Sequence, residues 1–404
     1  MSQLPALVVL ALAYVLSHFF RSFLAVLAPI LQRELGIGPA ELSQASGAWF
    51  LAFAVSQIPV GILLDRYGPR LPTGAMFGIL GGGGAFWLSQ AGSAGSLTAA
   101  MVLLGVGCSP VLMASLFLFK RTFEPRRFAV LTSTFIGVGL FGNLLGSQPL
   151  AWAAETYGWR QVLLVLAAST ITLGLLIQLV VRNPAASGSA STGLAGYWTL
   201  LKTRELWPII PIALVSYAVS GGLRGSWAGP YLADVGGLDT AGIGAVTLWM
   251  AIAMTAGSFL YGPLDTLFGT RKWVAFAGNL AVLATLVTWI ALPAPGALQA
   301  TVSLVVIGLF GMTFAVVMAH ATARIPDALT GRGVTLFNFF NIGGVGLAQF
   351  ASGEVYSATA LEGAPASGYD AALAVYAVAL AVALVIYLFA RDAPPSRKGV
   401  AGSD

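Results

Sequence analysis

Two arginines lie inside long apolar stretches of the sequence, where a permanent charge is costly. Arg21 interrupts the stretch LPALVVLALAYVLSHFFRSFLAVLAPIL, and Arg224 interrupts WPIIPIALVSYAVSGGLRGSWAGPYLA. A cation at the centre of a membrane helix costs at least about 2.5–3.5 kcal/mol. A guanidinium is always charged, and its planar fork matches the oxygen atoms of a carboxylate or a phosphate. The two positions therefore predict that the protein binds an anion.

The surroundings of the two arginines repeat along the chain. A tyrosine lies seven residues before each arginine, and the same 203-residue offset relates the two pairs. Residues spaced by three or four positions share one face of a helix, so each arginine ends a polar stripe. The stripes are Tyr14, His18 and Arg21 in the first stretch, and Tyr217, Ser220 and Arg224 in the second. We expect both stripes to face one anion.

Further polar side chains lie deep in other apolar stretches. Such groups either line a cavity or form hydrogen bonds between packed helices. We assign Asn338 and Asn341 to the predicted binding site. The acidic residues all lie at or near the ends of apolar stretches, which argues against an internal carboxylate partner for either arginine. Pairing with backbone carbonyls or with water in a cavity remains the alternative to a bound anion.

The composition explains why these arginines must lie in a membrane. Charged residues make up 9% of the chain and apolar residues 57%, with a mean hydropathy of +0.86. A soluble domain has about 25% charged residues. We find no Ser/His/Asp set, carboxylate pair, metal cluster or nucleotide-binding loop, so we predict no enzyme activity, cofactor or metal. The net charge of +5 shows no nucleic-acid pattern. The predicted partners are the lipid bilayer and a small anion, and the protein is expected to be a monomer.

Twelve apolar stretches are long enough to cross a bilayer. They cover residues 5–32, 42–64, 71–92, 97–119, 129–154, 160–181, 207–233, 240–264, 272–293, 298–322, 334–357 and 370–390. We predict an all-α integral membrane protein of twelve transmembrane helices, arranged as two pseudo-symmetric six-helix bundles. The predicted units are residues 1–181, a cytoplasmic linker 182–206, residues 207–390 and a cytoplasmic tail 391–404.

The basic residues orient these stretches. Sixteen of the twenty Lys and Arg residues fall on one side of the predicted bundle. Only Arg33 and Arg160 fall on the other side, and the remaining two are Arg21 and Arg224. Because cytoplasmic loops carry an excess of basic residues, both termini and the linker are predicted to be cytoplasmic in a bacterial-type inner membrane.

A short motif repeats in the two halves. The decapeptide GILLDRYGPR at residues 61–70 follows the second stretch, and GPLDTLFGTRK at residues 262–272 follows the eighth with one residue inserted. Offsets of this kind indicate a duplicated unit, which is typical of transporters whose halves rock about a central site.

With this motif and topology, the chain resembles the major facilitator superfamily of secondary transporters, whose loop pattern is G-x-L-x-D-[RK]-x-G-x-[RK]. The resemblance implies alternating access and a gate at the cytoplasmic surface. The gate residues that it implies are Gly61, Asp65, Arg66, Gly68, Arg70 and, in the second copy, Asp265. Charges that only orient the helices are the simpler interpretation of the same residues.

Within the superfamily, the arginines are similar to those of organophosphate:phosphate antiporters and of anion:cation symporters. The symporters have a motif like D-R-x-x-L-x-x-A-x-P, whereas this chain has FRSFLAVLAP at residues 20–29. Phe20 replaces the acidic residue that would couple transport to protons. His18 and His320 are the remaining candidates for proton coupling. Without them, we expect anion exchange or flow down a gradient.

Together these features predict a secondary transporter that moves a small organic anion, a carboxylate or phosphate-bearing metabolite, clamped by Arg21 and Arg224. Three alternatives stay open. The chain could export drug-like compounds, or it could act as a sensor or assembly factor without turnover. It could also import copper, because Met250 and Met254 offer thioethers one helical turn apart.

Overall fold

A computed structural model of the protein describes residues 4–184, 195–292, 296–326, 329–360 and 365–395. Within these ranges the chain forms helices and contains no strand. Residues 185–194 of the predicted linker and 396–404 of the predicted tail lie outside the described residues. The helices follow one another as twelve segments, which we number 1 to 12 in chain order.

Segments 1 to 6 form the N-terminal half. In order, their helices are Leu4–Ser22 with Leu24–Leu35; Pro39–Tyr67; Arg70–Ala75, Met76–Gly81 and Gly82–Ser89; Ala94–Cys108 with Pro110–Thr122; Pro125–Gly139, Phe141–Leu145 and Gln148–Tyr157; and Trp159–Val180.

A short linker helix, Ala195–Lys202, precedes the C-terminal half, segments 7 to 12. Their helices are Arg204–Leu206, Ile210–Val215, Ala218–Gly222, Leu223–Trp227 and Ala228–Asp234; Thr240–Phe268; Lys272–Ala291; Ala297–Phe310 with Phe314–Thr322; Thr330–Thr359; and Pro365–Tyr387. The predicted all-α fold with two six-helix halves is therefore confirmed.

Among the described residues, nine helical stretches are long and apolar enough to cross a membrane without a major interruption. Segments 3, 5 and 7 are not among these nine, because their helices are divided into shorter pieces. A π-helical turn occupies Met76–Gly81 in segment 3, and another occupies Leu223–Trp227 in segment 7. Segment 5 breaks between Phe141–Leu145 and Gln148–Tyr157. π-helical turns inside α-helices, like those of segments 3 and 7, are frequent at functional sites.

Small residues allow the segments of one half to pack closely. A Cβ atom on Gly107 of segment 4 would overlap the backbone of Gly81 in segment 3. In the same way, a Cβ on Gly174 of segment 6 would overlap Gly78 of segment 3. Because lipid is as apolar as the side chains, this close contact stabilises helix packing in membranes.

The two ends of the bundle differ. We call the end with the linker helix and the turns at Gly68 and Gly269 the linker side, and the opposite end the far side. On the far side, Gly229 of segment 7 packs so tightly on segment 1 that a Cβ would overlap the carbonyl group of Ala25. Gly244 of segment 8 packs on segment 5 in the same manner.

Hydrogen bonds between the halves reinforce this contact on the far side and near the middle of the bundle. Segment 2 bonds to the C-terminal half through Ser43 Oγ to Gln349 O (2.9 Å), Gln44 Nε2 to Glu354 Oε1 (2.9 Å), Gln349 Nε2 to Ser46 Oγ (3.0 Å) and Ser226 Oγ to Ser43 Oγ (3.4 Å). Segment 5 accepts two bonds from one terminal nitrogen of Arg224, at Asn143 O (2.5 Å) and at Ser147 Oγ (2.8 Å). The far side is therefore closed in this conformation.

Candidate functional site

Arg21 lies in the last turn of helix Leu4–Ser22, just before segment 1 is interrupted. Its guanidinium carbon is 5.6 Å from the ring centroid of Trp49 and 5.4 Å from that of Phe53, both on segment 2. A cation at this distance from aromatic faces is attracted by their quadrupoles. Arg21 Nε and Trp49 Nε1 are both buried without a hydrogen-bond partner. The side chains thus leave two N–H donors for an acceptor from outside the chain.

Tyr14 and His18 lie on the same helix as Arg21. Their rings are 4.5 Å apart, and Tyr14 stacks on Phe135 of segment 5 at 4.8 Å. Helix Leu4–Ser22, which carries both residues, contacts the π-helical turn Leu223–Trp227 of segment 7, so it lies where the two halves meet. His18 Nδ1 is buried without a partner. The structure therefore brings the predicted first stripe together.

Arg224 has a different environment, in the π-helical turn of segment 7. Its side chain is only 2% exposed. One terminal nitrogen donates to Thr247 O of segment 8 (2.6 Å), and the other donates to Asn143 O (2.5 Å) and Ser147 Oγ (2.8 Å) of segment 5. Only Nε lacks a partner. In this conformation the two arginines are not equivalent clamps, because protein oxygens occupy the fork of Arg224.

The other predicted binding residues are less directly engaged. Ser220 is buried, but its hydroxyl donates to Tyr217 O of its own helix (3.4 Å). Asn341 is buried on segment 11 with Oδ1 unpartnered, whereas Asn338 is half-buried on the same helix. Asn341 is thus the better placed of the two amides for a bound ligand.

His320 lies away from this cluster, near the linker side of the C-terminal half. Its Nδ1 is 2.6 Å from Tyr387 Oη, and its Nε2 is 2.8 Å from Arg391 O. Both ring nitrogens are therefore engaged in joining segment 10 to the end of segment 12. This position favours His18 as the histidine that could take part in coupling.

The methionine pair of segment 8 packs in the core. Met250 and Met254 are buried and lie against Gly308 of segment 10, where a Cβ would approach their side chains at 3.2 and 3.3 Å. Within the described ranges, no group of three His, Cys, Asp or Glu residues could hold a metal ion. The contacts explain both methionines as packing residues.

The predicted gate motif forms the turn between segments 2 and 3. Gly68 has a φ of 74°, a conformation that favours glycine. Asn183, the third residue after helix Trp159–Val180, donates to Tyr67 O (2.9 Å) and accepts from the backbone N–H of Arg70 (3.1 Å). Asn183 directly precedes a proline in the sequence, but we assigned no role to it from the sequence. It fixes the turn from the end of segment 6.

The charged residues of this motif point away from the core. Asp65, Arg66 and Arg70 are exposed, and the guanidinium of Arg66 lies 5.2 Å from the ring centroid of Tyr67. Gly61 has room for a side chain, since a Cβ there would lie 3.8 Å from the terminal methyl carbon of Met113, an ordinary contact. The hydrogen bonds between the halves described above lie elsewhere, on the closed far side and near the middle of the bundle. A role of the motif as a latch for the opposite conformation therefore stays a prediction.

The second copy of the motif is more tightly bonded. Asp265 pairs with Arg271 at 3.2 Å. Asp392, which follows segment 12, accepts hydrogen bonds from the Thr270 hydroxyl and from the backbone N–H of Lys272. Asp392 thus fixes the turn between segments 8 and 9, as Asn183 fixes the turn between segments 2 and 3. The duplication extends to these two residues, which were not predicted from the sequence.

Replacing Asp392 by asparagine should lower the stability of the C-terminal half. Burial raises the pKa of Asp392, but hydrogen bonds from Thr270, Lys272 and Ala393 outweigh it and hold the pKa below its ordinary value. The carboxylate therefore contributes stability above the unfolded pKa of about 3.9, and this contribution is lost as pH falls through the lower folded pKa. We expect an apparent Tm lower by roughly 2–4 °C at neutral pH. Thermal unfolding of both proteins as a function of pH tests this, and the difference should shrink below about pH 4.

Comparison with known protein families assigns the chain to one of them. The family model of the Major Facilitator Superfamily matches residues 10–237, more than half of the chain. The chain therefore belongs to this superfamily, a family of transporters and not of enzymes.

Curated relatives of the chain are transporters and a resistance protein. The probable L-galactonate transporter of Escherichia coli (strain K12) is 30% identical over 193 residues, which are 45% of this chain and 40% of that protein. The hexuronate transporter of the same strain is 24% identical over 292 residues, 67% of this chain and 66% of that protein. The fosmidomycin resistance protein of that strain is 24% identical over 348 residues, 84% of each chain. The first two alignments thus span less than two thirds of the relatives.

Solved structures support the fold. A bacterial homologue of the human lysosomal transporter Spinster, in an inward-facing and occupied conformation, superposes with a TM-score of 0.76 at 19% identity. The match covers 95% of this chain and 96% of that chain. Both six-helix halves are therefore part of the shared fold.

Proposed function

We propose that the protein is a secondary transporter that moves a small organic anion across the inner membrane by alternating access, with Arg21 as the main anchor. One observation carries this proposal: the guanidinium carbon of Arg21 lies 5.6 Å from the ring centroid of Trp49, and Arg21 Nε and Trp49 Nε1 are both buried without a partner. Arg21 is half-buried, with its Nε fully buried. A cation in such an apolar environment without a carboxylate partner is costly, and a carboxylate ligand would offset that cost. Arg21 forms no ion pair within the part of the chain that the structure describes.

Two buried acceptor atoms among the predicted binding residues favour a hydroxylated carboxylate over a simple one. His18 Nδ1 and Asn341 Oδ1 are buried and unpartnered, and both can accept a hydrogen bond. A ligand with one carboxylate and several hydroxyls supplies acceptors for the arginine and donors for these atoms. Galactonate and hexuronate, named in the relatives described above, have this chemistry.

In the proposed transport cycle, the far side, which is closed in this conformation, opens to admit the anion. If the linker side is cytoplasmic, as the basic residues predict, the present conformation faces the cytoplasm. The anion would enter while the far side is open and leave toward the linker side. Arg224 would contribute to anion binding only where its fork is released from segment 5.

A ligand screen tests the proposal. We expect galactonate, glucuronate and tartrate to raise the thermal stability of the purified protein, because ligand binding to the folded state is stabilising. Glucose, which lacks a carboxylate, and butyrate, which lacks hydroxyls, serve as matched controls and should have no effect. The same panel on the Arg21→Ala variant should give no stabilisation. Uptake of the best ligand into proteoliposomes then establishes transport.

Two results would overturn the proposal. Glucose could stabilise the protein as well as the sugar acids do, which would exclude an anion site. Alternatively, the Arg21→Ala variant could respond as the wild type does, which would place the anion elsewhere.

Export of a drug-like compound is a second candidate. The fosmidomycin resistance protein matches a larger share of this chain than the two sugar-acid transporters do. Expression of the chain in a drug-sensitive bacterial strain distinguishes the two functions. Resistance that survives the Arg21→Ala change would favour export through a site other than the one described here.

A further inference from the structure

We propose that Arg224 is a gate residue: its guanidinium stabilises the closed far side by bonding to segment 5, and these bonds are exchanged for the substrate anion when the far side opens. The gate role stands on the geometry alone, whereas the exchange rests on the proposed function.

The break in segment 5 supplies the acceptors for Arg224. Within the break, the Ser147 hydroxyl donates to Asn143 O (2.8 Å) and accepts from Arg224 (2.8 Å). The same Asn143 carbonyl also accepts from Arg224 at 2.5 Å. Ser147 and Asn143 are both buried. One nitrogen of a buried guanidinium thus has two acceptors in the opposite half, and each bond involves a charged donor.

The π-helical turn of segment 7 makes a second contact across the same interface. Ser226, two residues after Arg224, lies 3.4 Å from Ser43 of segment 2 and accepts from Gln349 Nε2 (3.0 Å). Gln349 also donates to Ser46 of segment 2 at 3.0 Å. One turn of helix therefore bonds to segments 5 and 2 of the N-terminal half at once. These contacts form only when the two halves meet on the far side.

Opening the far side must separate segment 7 from segment 5. Arg224 then keeps Thr247 O, which belongs to its own half, and loses both acceptors of the N-terminal half. A buried cation that loses hydrogen bonds needs replacements. An anion that enters from the far side can provide them, and closure returns the fork to segment 5. Arg224 therefore links the position of the halves to the presence of the anion.

Distance measurements between spin labels test the gate role without any ligand. Glu155 and Ala241 are exposed at the far-side ends of segments 5 and 8, and each is replaced by cysteine to carry a label. Cys108 is the single cysteine of the chain, so Cys108→Ser provides the background. The variants are Arg224→Lys, which keeps the charge without the fork, and Ser147→Ala, which removes one acceptor. Ser115→Ala is the matched control, since this buried hydroxyl donates to Val111 O of its own helix.

We expect a single short distance in the labelled background and in the Ser115→Ala control. The Ser147→Ala and Arg224→Lys variants should each increase the population with a long distance at least about fivefold, which corresponds to roughly 1 kcal/mol. Unchanged distance distributions in both variants would overturn the gate role. If the Arg224→Lys variant, which retains a buried charge, fails to fold, the Ser147→Ala variant still tests the gate role.

A ligand titration on the same proteins separates this inference from the proposed function. With galactonate as the probe, the wild type and the Ser147→Ala variant should both bind, and Arg21→Ala should not. Altered distances without any galactonate binding would support the gate role and contradict the proposed transport function. Normal galactonate binding with unaltered distances would support the transport function and contradict the gate role. Binding by Arg224→Lys as tight as that of the wild type would overturn the exchange of Arg224 for the anion.

Discussion

Replacing Arg21 by alanine should severely weaken binding of the anion, and with it transport, while the protein still inserts and folds. Loss of one partner from a buried charge pair costs about 2–5 kcal/mol, and each 1.4 kcal/mol is tenfold in affinity. We therefore expect the Kd to rise at least about 30-fold. Arg21→Lys should retain part of the affinity, because the charge remains but the planar fork does not. Isothermal titration with the best ligand measures both variants.

Arg33 provides the matched control for this experiment. It lies in the last turn of helix Leu24–Leu35, is exposed, and donates its Nε–H to Pro29 O. Arg33→Ala removes a charge from the same segment without reaching the site, so its Kd should stay within about twofold of the wild-type value. Equal loss of affinity in Arg33→Ala and Arg21→Ala would show a general electrostatic effect and contradict the role of Arg21 as an anchor.

The sequence predicts the segments and their order because hydrophobic length is a local property. The predicted stretch 42–64, for example, lies inside helix Pro39–Tyr67, and 240–264 lies inside helix Thr240–Phe268. The π-helical turns and the residues that fix the gate turns were not predicted. Asn183 and Asp392 gain their roles only when the ends of segments 6 and 12 reach turns that lie far away in sequence. Such contacts depend on tertiary packing and have no local signature.

From the duplication we predicted that Arg21 and Arg224 would play equivalent parts, whereas their contacts in the structure differ. Their spacing from the tyrosines is identical, yet Arg224 bonds to protein oxygens and Arg21 lies against aromatic rings. The reason is a difference between the halves. Segment 5 is interrupted at Ser147, whose backbone N–H donates to Leu144 O (3.2 Å), three residues back, and not to Asn143 O. The Asn143 carbonyl and the Ser147 hydroxyl are therefore available to Arg224. Segment 11, the counterpart, is one continuous helix, Thr330–Thr359.

This asymmetry gives the two arginines different effects on the cycle. Under the proposed function, loss of Arg21 would remove an anchor in whichever conformation holds the anion. Loss of the Arg224 fork also removes two bonds that exist only with the far side closed. Variants of Arg21 should therefore change affinity, whereas variants of Arg224 should change both affinity and the balance between conformations. Duplication and later divergence of one helix can thus produce an anchor and a gate from the same starting residue.

Placing a single methyl group on the closed interface should stop transport without destroying the anion site. Gly229→Ala adds a Cβ that would overlap the carbonyl group of Ala25, which is backbone and cannot rotate away. The helices of segments 1 and 7 must then separate, so the closed far side is strongly disfavoured. We expect the uptake rate in proteoliposomes to fall at least about tenfold, since overpacking costs about 1–3 kcal/mol. The Kd measured by titration should change only a few-fold, because Arg21 and Trp49 are untouched.

Gly83→Ala is the control for the added methyl group itself. Gly83 lies in segment 3, and no heavy atom lies within 4 Å of a Cβ at this position. The uptake rate of the Gly83→Ala variant should equal that of the wild type, because the added methyl group contacts no other atom and alanine forms helices better than glycine. With labels at positions 155 and 241, Gly229→Ala should show the long far-side distance and Gly83→Ala the short one. Normal uptake by Gly229→Ala would mean that segments 1 and 7 need not meet during the cycle, and the closed far side would then have no part in transport.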